Sequence, residues 1–208
     1  MADKRNDSVT IVEERPSTGS AAARRAMSDS QLRTSGVNAD WVLQRMADVA
    51  REAFVPDAAR GHAYIDRAIA LGGGRFLPAP AVHGMMLQEA RPSASDRALV
   101  IDGGSGYLAE LVRPLVASLE TATPAQAAAA SKRGDFTLLV IDGAVAQLPA
   151  VLVKRLAEGA RVLTGWQREG VTCLAAGRKA GADVALLPLA EMGIPVLPEF
   201  AARKGWSF

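Results

Sequence analysis

The sequence predicts an α/β fold: an open sheet with parallel strands at its centre, preceded by a helical segment. Three observations carry this. From residue 97 onward, strand-like apolar runs alternate with amphipathic ones, as strands joined by crossover helices do. In "LVIDGGSGYLAE", residues 99–110, an apolar run enters a glycine-rich turn and an amphipathic run leaves it, which is how a nucleotide-binding strand–loop–helix begins. And 208 residues that are 49% apolar and 22% charged suit one domain with a sizeable core.

The elements follow in order. Residues 1–20 are polar with little apolar periodicity and read as a disordered tail; Asp3, Asp7, Glu13 and Glu14 speak against a basic transit peptide. "AAARRAMSDSQLRTSGV" predicts a helix through about Arg33, closed by Gly36. Asn38 or Asp40 can cap the next helix, "WVLQRMADVA", in which Trp41, Val42, Met46 and Val49 fall near helical spacing. Residues 51–80 read as irregular and punctuated by proline and glycine, and 83–90, "HGMMLQEA", as helical. Strand 97–101, helix 106–116, a short strand near 117–120, helix 124–132, strand 136–141, helix 149–157 and strand 160–164 come next, with further strands near 171–176 and 183–188. The expected organisation is a tail over 1–20, an N-terminal helical segment on the substrate side over 21–95, and the sheet domain over 96–208.

Composition narrows the functional classes. A net charge of +2 provides no strong field for nucleic acid or an anionic membrane, so neither is expected as a partner. The single cysteine, Cys173, rules out an internal disulfide, and with only His62 and His83 no protein metal site is expected. No apolar stretch is long enough to span a bilayer, and the N-terminus lacks the apolar core of a signal peptide, so a cytoplasmic location is expected. On an open α/β sheet, ligands sit at the carboxyl ends of the strands near the point where strand order reverses, which makes Asp102–Tyr107 the first site candidate.

A glycine turn alone is weak evidence, but several phrases occur together and in order: "AMSDSQLRTSGV", "REAFVP", "AYIDRAIALGGGRFLPAPAVHGMML", "GSGY", "LLVIDGAVAQLP", "LAEGARVLTG" and a terminal "GWSF". Over roughly Ala21 to Phe208 the chain resembles protein-L-isoaspartate O-methyltransferases, in particular a divergent alphaproteobacterial branch, here shortened. The resemblance implies a Rossmann-type methyltransferase sheet and transfer of a methyl group from S-adenosylmethionine to the carboxylate of isoaspartyl residues in damaged proteins. Isoaspartyl peptides or proteins are then the expected partners, and a homodimer is open. The alternative is a catalytically degenerate relative that keeps the fold as a binding or assembly module.

Residue by residue, the resemblance places Gly104, Ser105, Gly106 and Tyr107 on the family's Gly-x-Gly-Tyr, with Asp102 where the family has a leading glycine and Val100 where it has a strand-end acid. Asp102, Gly103, Gly104, Ser105, Gly106 and Tyr107 are the expected cofactor-binding turn. A carboxylate at Asp102 would face the carboxylate end of the cofactor, a repulsion of about 3–4 kcal/mol at ~4–5 Å and an effective dielectric of ~20, so Asp102→Gly is expected to tighten binding. Glu120 is the candidate for the ribose hydroxyls, and equally reads as a solvated capping glutamate. Relative to the family, ~20–30 residues are missing before "LLVID", close to one strand-plus-crossover unit, which predicts a lost edge strand. Pro78 falls where the family carries a serine hydroxyl, and Ala81 replaces the first of two histidines. His83 matches the second; it is read as a substrate-side donor or, more in keeping with its place at a helix start, as a histidine paired with a backbone carbonyl. Asp142, ending its strand, either bounds the methyl-transfer pocket or caps the turn after it. Trp166, Trp206, Met85 and Met86 read as packing residues.

Overall fold

The computed structural model describes residues 18–129 and 134–202. Of the tail expected over 1–20, residues 1–17 lie outside the described residues, as do the last residues of the helix expected over 124–132 and Trp206 with "GWSF"; residues 18–20 are not tail but the first turn of a helix that runs to Met27.

The sheet has six strands: β3 (Arg97–Ile101), β4 (Ser118–Ala122), β5 (Phe136–Val145), β6 (Leu156–Arg168), β7 (Val171–Ala180) and β8 (Asp183–Glu191). Their spatial order is β4-β3-β5-β6-β7-β8. β3 pairs parallel with β4 and β5, and β5 parallel with β6, while β7 and β8 close the sheet antiparallel. The period of two divides the central strands between two cores: Ala98, Val100, Leu138 and Val140 face one side, and Leu99, Ile101, Leu139 and Ile141 the other. Each of these side chains is 0–1% exposed, and a buried leucine or isoleucine stabilises by about 1.5–3 kcal/mol. Strand order reverses at β3, so its carboxyl end opens at the switch point.

Asp96 ties the starts of β3 and β5 to the middle of β6. Its carboxylate accepts from Ser93 N (2.8 Å) and Thr137 Oγ1 (2.8 Å) and pairs with Arg161 of β6. Burial works against its ionised form, yet the hydrogen bonds from Thr137 and Ser93 and the Arg161 guanidinium hold its pKa below the ordinary value.

The N-terminal segment packs on the first core. α1 (Thr18–Met27) runs into a π-helical turn, Ser28–Leu32, and the chain breaks at Gly36 (φ 90°), as the sequence predicts. α2 (Asp40–Asp48) is capped neither by Asn38 nor by Asp40. The Gln88 Oε1 atom, on α3 (Pro80–Ala90), accepts from Asn38 N (2.9 Å) and Ala39 N (3.1 Å), so the cap comes from the neighbouring helix. Val42 and Met46 are buried, but Trp41 is 41% exposed. α3 starts three residues earlier than expected, with Pro80 in its first turn, and lies buried between the N-terminal helices and the sheet.

Residues 51–80 are not wholly irregular. After 3₁₀ turns at Arg51–Phe54 and Asp57–His62 they form a hairpin, β1 (Ile69–Gly72) with β2 (Arg75–Leu77). Gly73 and Gly74 make its two-residue turn at φ 57° and 74°, which only glycine or its nearest substitutes adopt readily.

The sheet's own helices are short. α4 (Tyr107–Val112) gives way to a 3₁₀ turn at Arg113–Leu115, where Pro114 cannot continue the ladder. α5 (Pro124–Ala129) opens with a reciprocal capping box, Thr123 N to Gln126 Oε1 (2.9 Å) and Gln126 N to Thr123 Oγ1 (3.2 Å). α6 (Ala150–Val153) is one turn only; the helix expected through 157 yields to β6, because Leu156 pairs with Phe136 and is buried in the second core. Beyond β4 no further strand lies among the described residues, in keeping with the expected loss of an edge strand. The exposed Ser118, Glu120 and Thr121 give that edge a polar character.

Candidate active site at the carboxyl end of β3

The turn after β3 is braced from within. Asp102 N donates to Ala122 O (2.9 Å), Asp102 Oδ1 accepts from Gly106 N (2.8 Å), and Ser105 Oγ accepts from Tyr107 N (3.1 Å). The Asp102 carboxylate therefore folds into the turn as an Asx-type brace, with one oxygen committed to the backbone. Glycine is required at Gly103 for space, since a Cβ there would lie 2.3 Å from Asp142 O. At Gly104 (φ 121°) and Gly106 (φ 75°) it is required for conformation, and a Cβ on Gly106 would meet nothing within 4 Å. The turn thus leaves bare backbone facing open space at its second half, the kind of cradle a nucleotide cofactor needs.

Beneath the turn lies a buried polar cluster that joins elements distant in sequence. His83, on α3, is 0% exposed, and its Nε2 is 2.8 Å from Asp142 Oδ1 on β5. Its Nδ1 lies 3.1 Å from Arg51 Nη1. Arginine has only donors, so Nδ1 must accept and Nε2–H must donate to Asp142; this fixes the neutral tautomer. Burial lowers the His83 pKa from its ordinary value, Arg51 adds to this, and Asp142 opposes it. Arg51 is also 0% exposed, and donates through Nε to Ala63 O (2.7 Å) and through Nη2 to Pro78 O. The Tyr107 ring closes the cluster, with its centroid 5.2 Å from that of His83, 5.3 Å from that of Phe54 and 5.0 Å from the Arg51 guanidinium carbon. Within this cluster, Tyr107 Oη and Asp142 Oδ2 are buried with no hydrogen-bond partner among the described residues.

Several expectations change accordingly. His83 pairs with a carboxylate and a guanidinium rather than with a backbone carbonyl, because α3 carries it inward against β5. Asp142 neither ends its strand nor caps a turn: β5 runs on to Val145, and the side chain points to His83. Tyr107 is buried in the cluster, although its backbone N–H belongs to the turn. Glu120 stands apart. It sits two residues before the end of β4, and its carboxylate is held by Arg155. Met86 is buried and Met85 half-buried, as packing residues should be, and Trp166 is half-buried beneath the Arg168 guanidinium.

Sequence reasoning missed two arginines. Arg51 was visible only as the first letter of "REAFVP", with nothing local to say that it points inward. Arg75 leaves the hairpin beside the turn, where the Cβ, Cγ and Cδ atoms of its stem would lie 3.3, 3.4 and 3.8 Å from a Cβ on Gly104. Its guanidinium grips both oxygens of Glu199, with Nη1 to Oε2 at 3.0 Å.

Known proteins agree with this architecture. The family model described as protein-L-isoaspartate (D-aspartate) O-methyltransferase matches residues 24–123. A protein-L-isoaspartate O-methyltransferase of Koribacter versatilis is 30% identical over 171 residues, 70% of this chain and 77% of that protein. One from Roseiflexus castenholzii is 38% identical over 108 residues, 52% of this chain and 49% of its own length. The chain spans about half the length of the first curated relatives it matches, 49% and 53%. Among solved structures, a protein-L-isoaspartate O-methyltransferase from Plasmodium falciparum in complex with S-adenosyl-L-homocysteine superposes with a TM-score of 0.67 at 16% identity, covering 86% of this chain and 98% of that one. The fold is thus that of the methyltransferase sheet, and by its similarity to the Koribacter protein the chain belongs to the protein-L-isoaspartate O-methyltransferase family.

Proposed function

We propose that this protein transfers a methyl group from S-adenosylmethionine to the free α-carboxylate of isoaspartyl residues in damaged proteins. The observation that carries the reading is the glycine turn at the switch point of a methyltransferase sheet, in a chain of this family. The backbone of Gly103–Gly106 and the Ser105 hydroxyl are the groups that would hold the cofactor, with Glu120 on the adjoining strand as the ribose candidate. When bound, the cofactor supplies an electrophilic sulfonium methyl. The acceptor carboxylate is already ionised near neutral pH, so no strong base is needed; the chain's task is to align that carboxylate and keep water out. In this reading Asp142 supports the floor of the pocket through the contact of its backbone oxygen with Gly103, and His83 acts at one remove by holding Asp142. The protein is expected to act in the cytoplasm; among the described residues no helix is long and apolar enough to cross a membrane.

Two measurements test the proposal together. Calorimetric titration with S-adenosylhomocysteine should give micromolar binding, and labelled S-adenosylmethionine should methylate an isoaspartyl peptide but not its aspartyl counterpart. Millimolar or absent cofactor binding would favour the fold serving as a binding module instead.

A further inference from the structure

We propose that Arg75 is the carboxylate-binding residue of this site, and that Glu199 occupies it in the resting protein as a stand-in for the isoaspartyl carboxylate. The inference rests on the function proposed above and names the residue that selects its substrate.

Pro78 offers neither a hydroxyl nor an N–H, and its carbonyl is taken by Arg51. Arg51 cannot serve an incoming carboxylate itself, because it is sealed in the core with its nitrogens committed to Ala63 O, Pro78 O and His83 Nδ1. Arg75 can. It emerges from the hairpin directly over Gly104 and still has 28% of its side chain exposed. Its fork already holds a carboxylate in the two-pronged geometry that planar carboxylate recognition uses.

Neither partner needs the ion pair to stay in place. The hairpin has its own ladder between β1 and β2. The C-terminal segment is tied to β5 by Leu197 N to Ala144 O (2.9 Å) and Ala146 N to Phe200 O (2.9 Å), with Phe200 buried in the second core. A rotamer change at Glu199 alone therefore frees the fork while both backbones hold. An isoaspartyl carboxylate then replaces one carboxylate with another, so Arg75 never loses its counter-charge. Because Glu199 is tethered, it competes at an effective concentration on the order of millimolar, which sets a threshold that weakly binding carboxylates do not pass.

The test measures binding, independently of turnover. A fluorescent isoaspartyl peptide, its aspartyl isomer and its isoasparaginyl amide are titrated against the wild type, Glu199→Gln and Arg75→Gln, and S-adenosylhomocysteine is titrated against the same three proteins. The expected result is roughly tenfold tighter isoaspartyl binding in Glu199→Gln and roughly tenfold weaker binding in Arg75→Gln. The amide peptide should be indifferent to both changes, and cofactor affinity unchanged. The gain in Glu199→Gln is one that misfolding cannot imitate. Peptide binding that ignores both substitutions, or is absent throughout, overturns the inference. Weaker cofactor binding in Arg75→Gln with unaltered peptide binding would assign the fork to the cofactor's own carboxylate and overturn it equally. Arg75-dependent peptide binding without methyl transfer would leave the inference standing and remove the proposed activity.

Discussion

At the scale of single residues, the turn separates two kinds of glycine. Gly103 is glycine for space and Gly106 for conformation. Gly103→Ala forces a methyl group against the Asp142 carbonyl, which cannot swing aside as a side chain could. It should cost about 2–3 kcal/mol of stability, whereas Gly106→Ala, strained but unobstructed, should cost about 1 kcal/mol. Urea unfolding of the two variants at one temperature checks the order, and equal losses would contradict the contact. Asp102 calls for a different substitution from the one its charge alone suggests. Glycine there would remove the repulsion and the brace on Gly106 together. Asparagine keeps an oxygen for the Gly106 N–H and removes only the charge. Asp102→Asn should therefore bind S-adenosylhomocysteine on the order of tenfold more tightly than the wild type, after screening. Calorimetry giving the two proteins the same affinity would mean that the carboxylate, folded into its turn, never faces the ligand.

At the scale of elements, what could be read from the sequence depended on run length. β3, β5 and the turn between β3 and α4 were legible because long apolar runs and a glycine cluster are local signals. The β1–β2 hairpin was not: strands of four and three residues are too short to show a period, although three successive glycines at 72–74 marked its turn. The start of β6 was misread because "LVKRLAEG" satisfies a helical pattern, and pairing with β5 overrides it. The cap of α2 was supplied by Gln88 from another helix, which no window around Asn38 could reveal. Asp96 shows the same limit, since its partners Thr137 and Arg161 lie on two other strands. Asp96→Ala should destabilise the fold by about 2–3 kcal/mol at pH 7. Its native pKa is held below the unfolded value, so this stabilisation is complete above about pH 4 and fades as pH falls through the native pKa. Denaturant unfolding at pH 7 and at pH 3.5 should show the gap between wild type and variant narrowing in acid; a constant gap would sink the assignment.

At the scale of the whole molecule, the N-terminal segment and the sheet share one core running from Met27 to Ile194, so the helical half is not a detachable cover. Its polar tie is the Arg51–His83–Asp142 chain, assembled from a 3₁₀ turn, a helix and a strand. His83 and Asp142 were each visible as site candidates; their pairing was not, because residues 59 apart in sequence leave no shared local pattern. The tie makes the stability of the whole protein sensitive to mild acid. Protonating Nδ1 would set its N–H against Arg51, so the native imidazole resists a proton that the unfolded chain accepts at about pH 6.5. The unfolded state then binds more protons below that pH, and stability falls as pH drops from about 6.5 toward the lowered native pKa, by up to ~1.4 kcal/mol per pH unit. Asp96 and Glu199, whose pKa values are also lowered, act near and below their ordinary values of 3.8 and 4.5, so the window from about pH 6.5 down to about pH 5 is where the histidine's contribution is read. His83→Gln presents an oxygen to Arg51 and an amide N–H to Asp142 with nothing to titrate. Its unfolding free energy should start lower at pH 7 yet stay nearly level down to pH 5, while the wild type declines; parallel curves for the two proteins would show that the imidazole is protonated in the folded chain and that the tautomer assigned here is wrong.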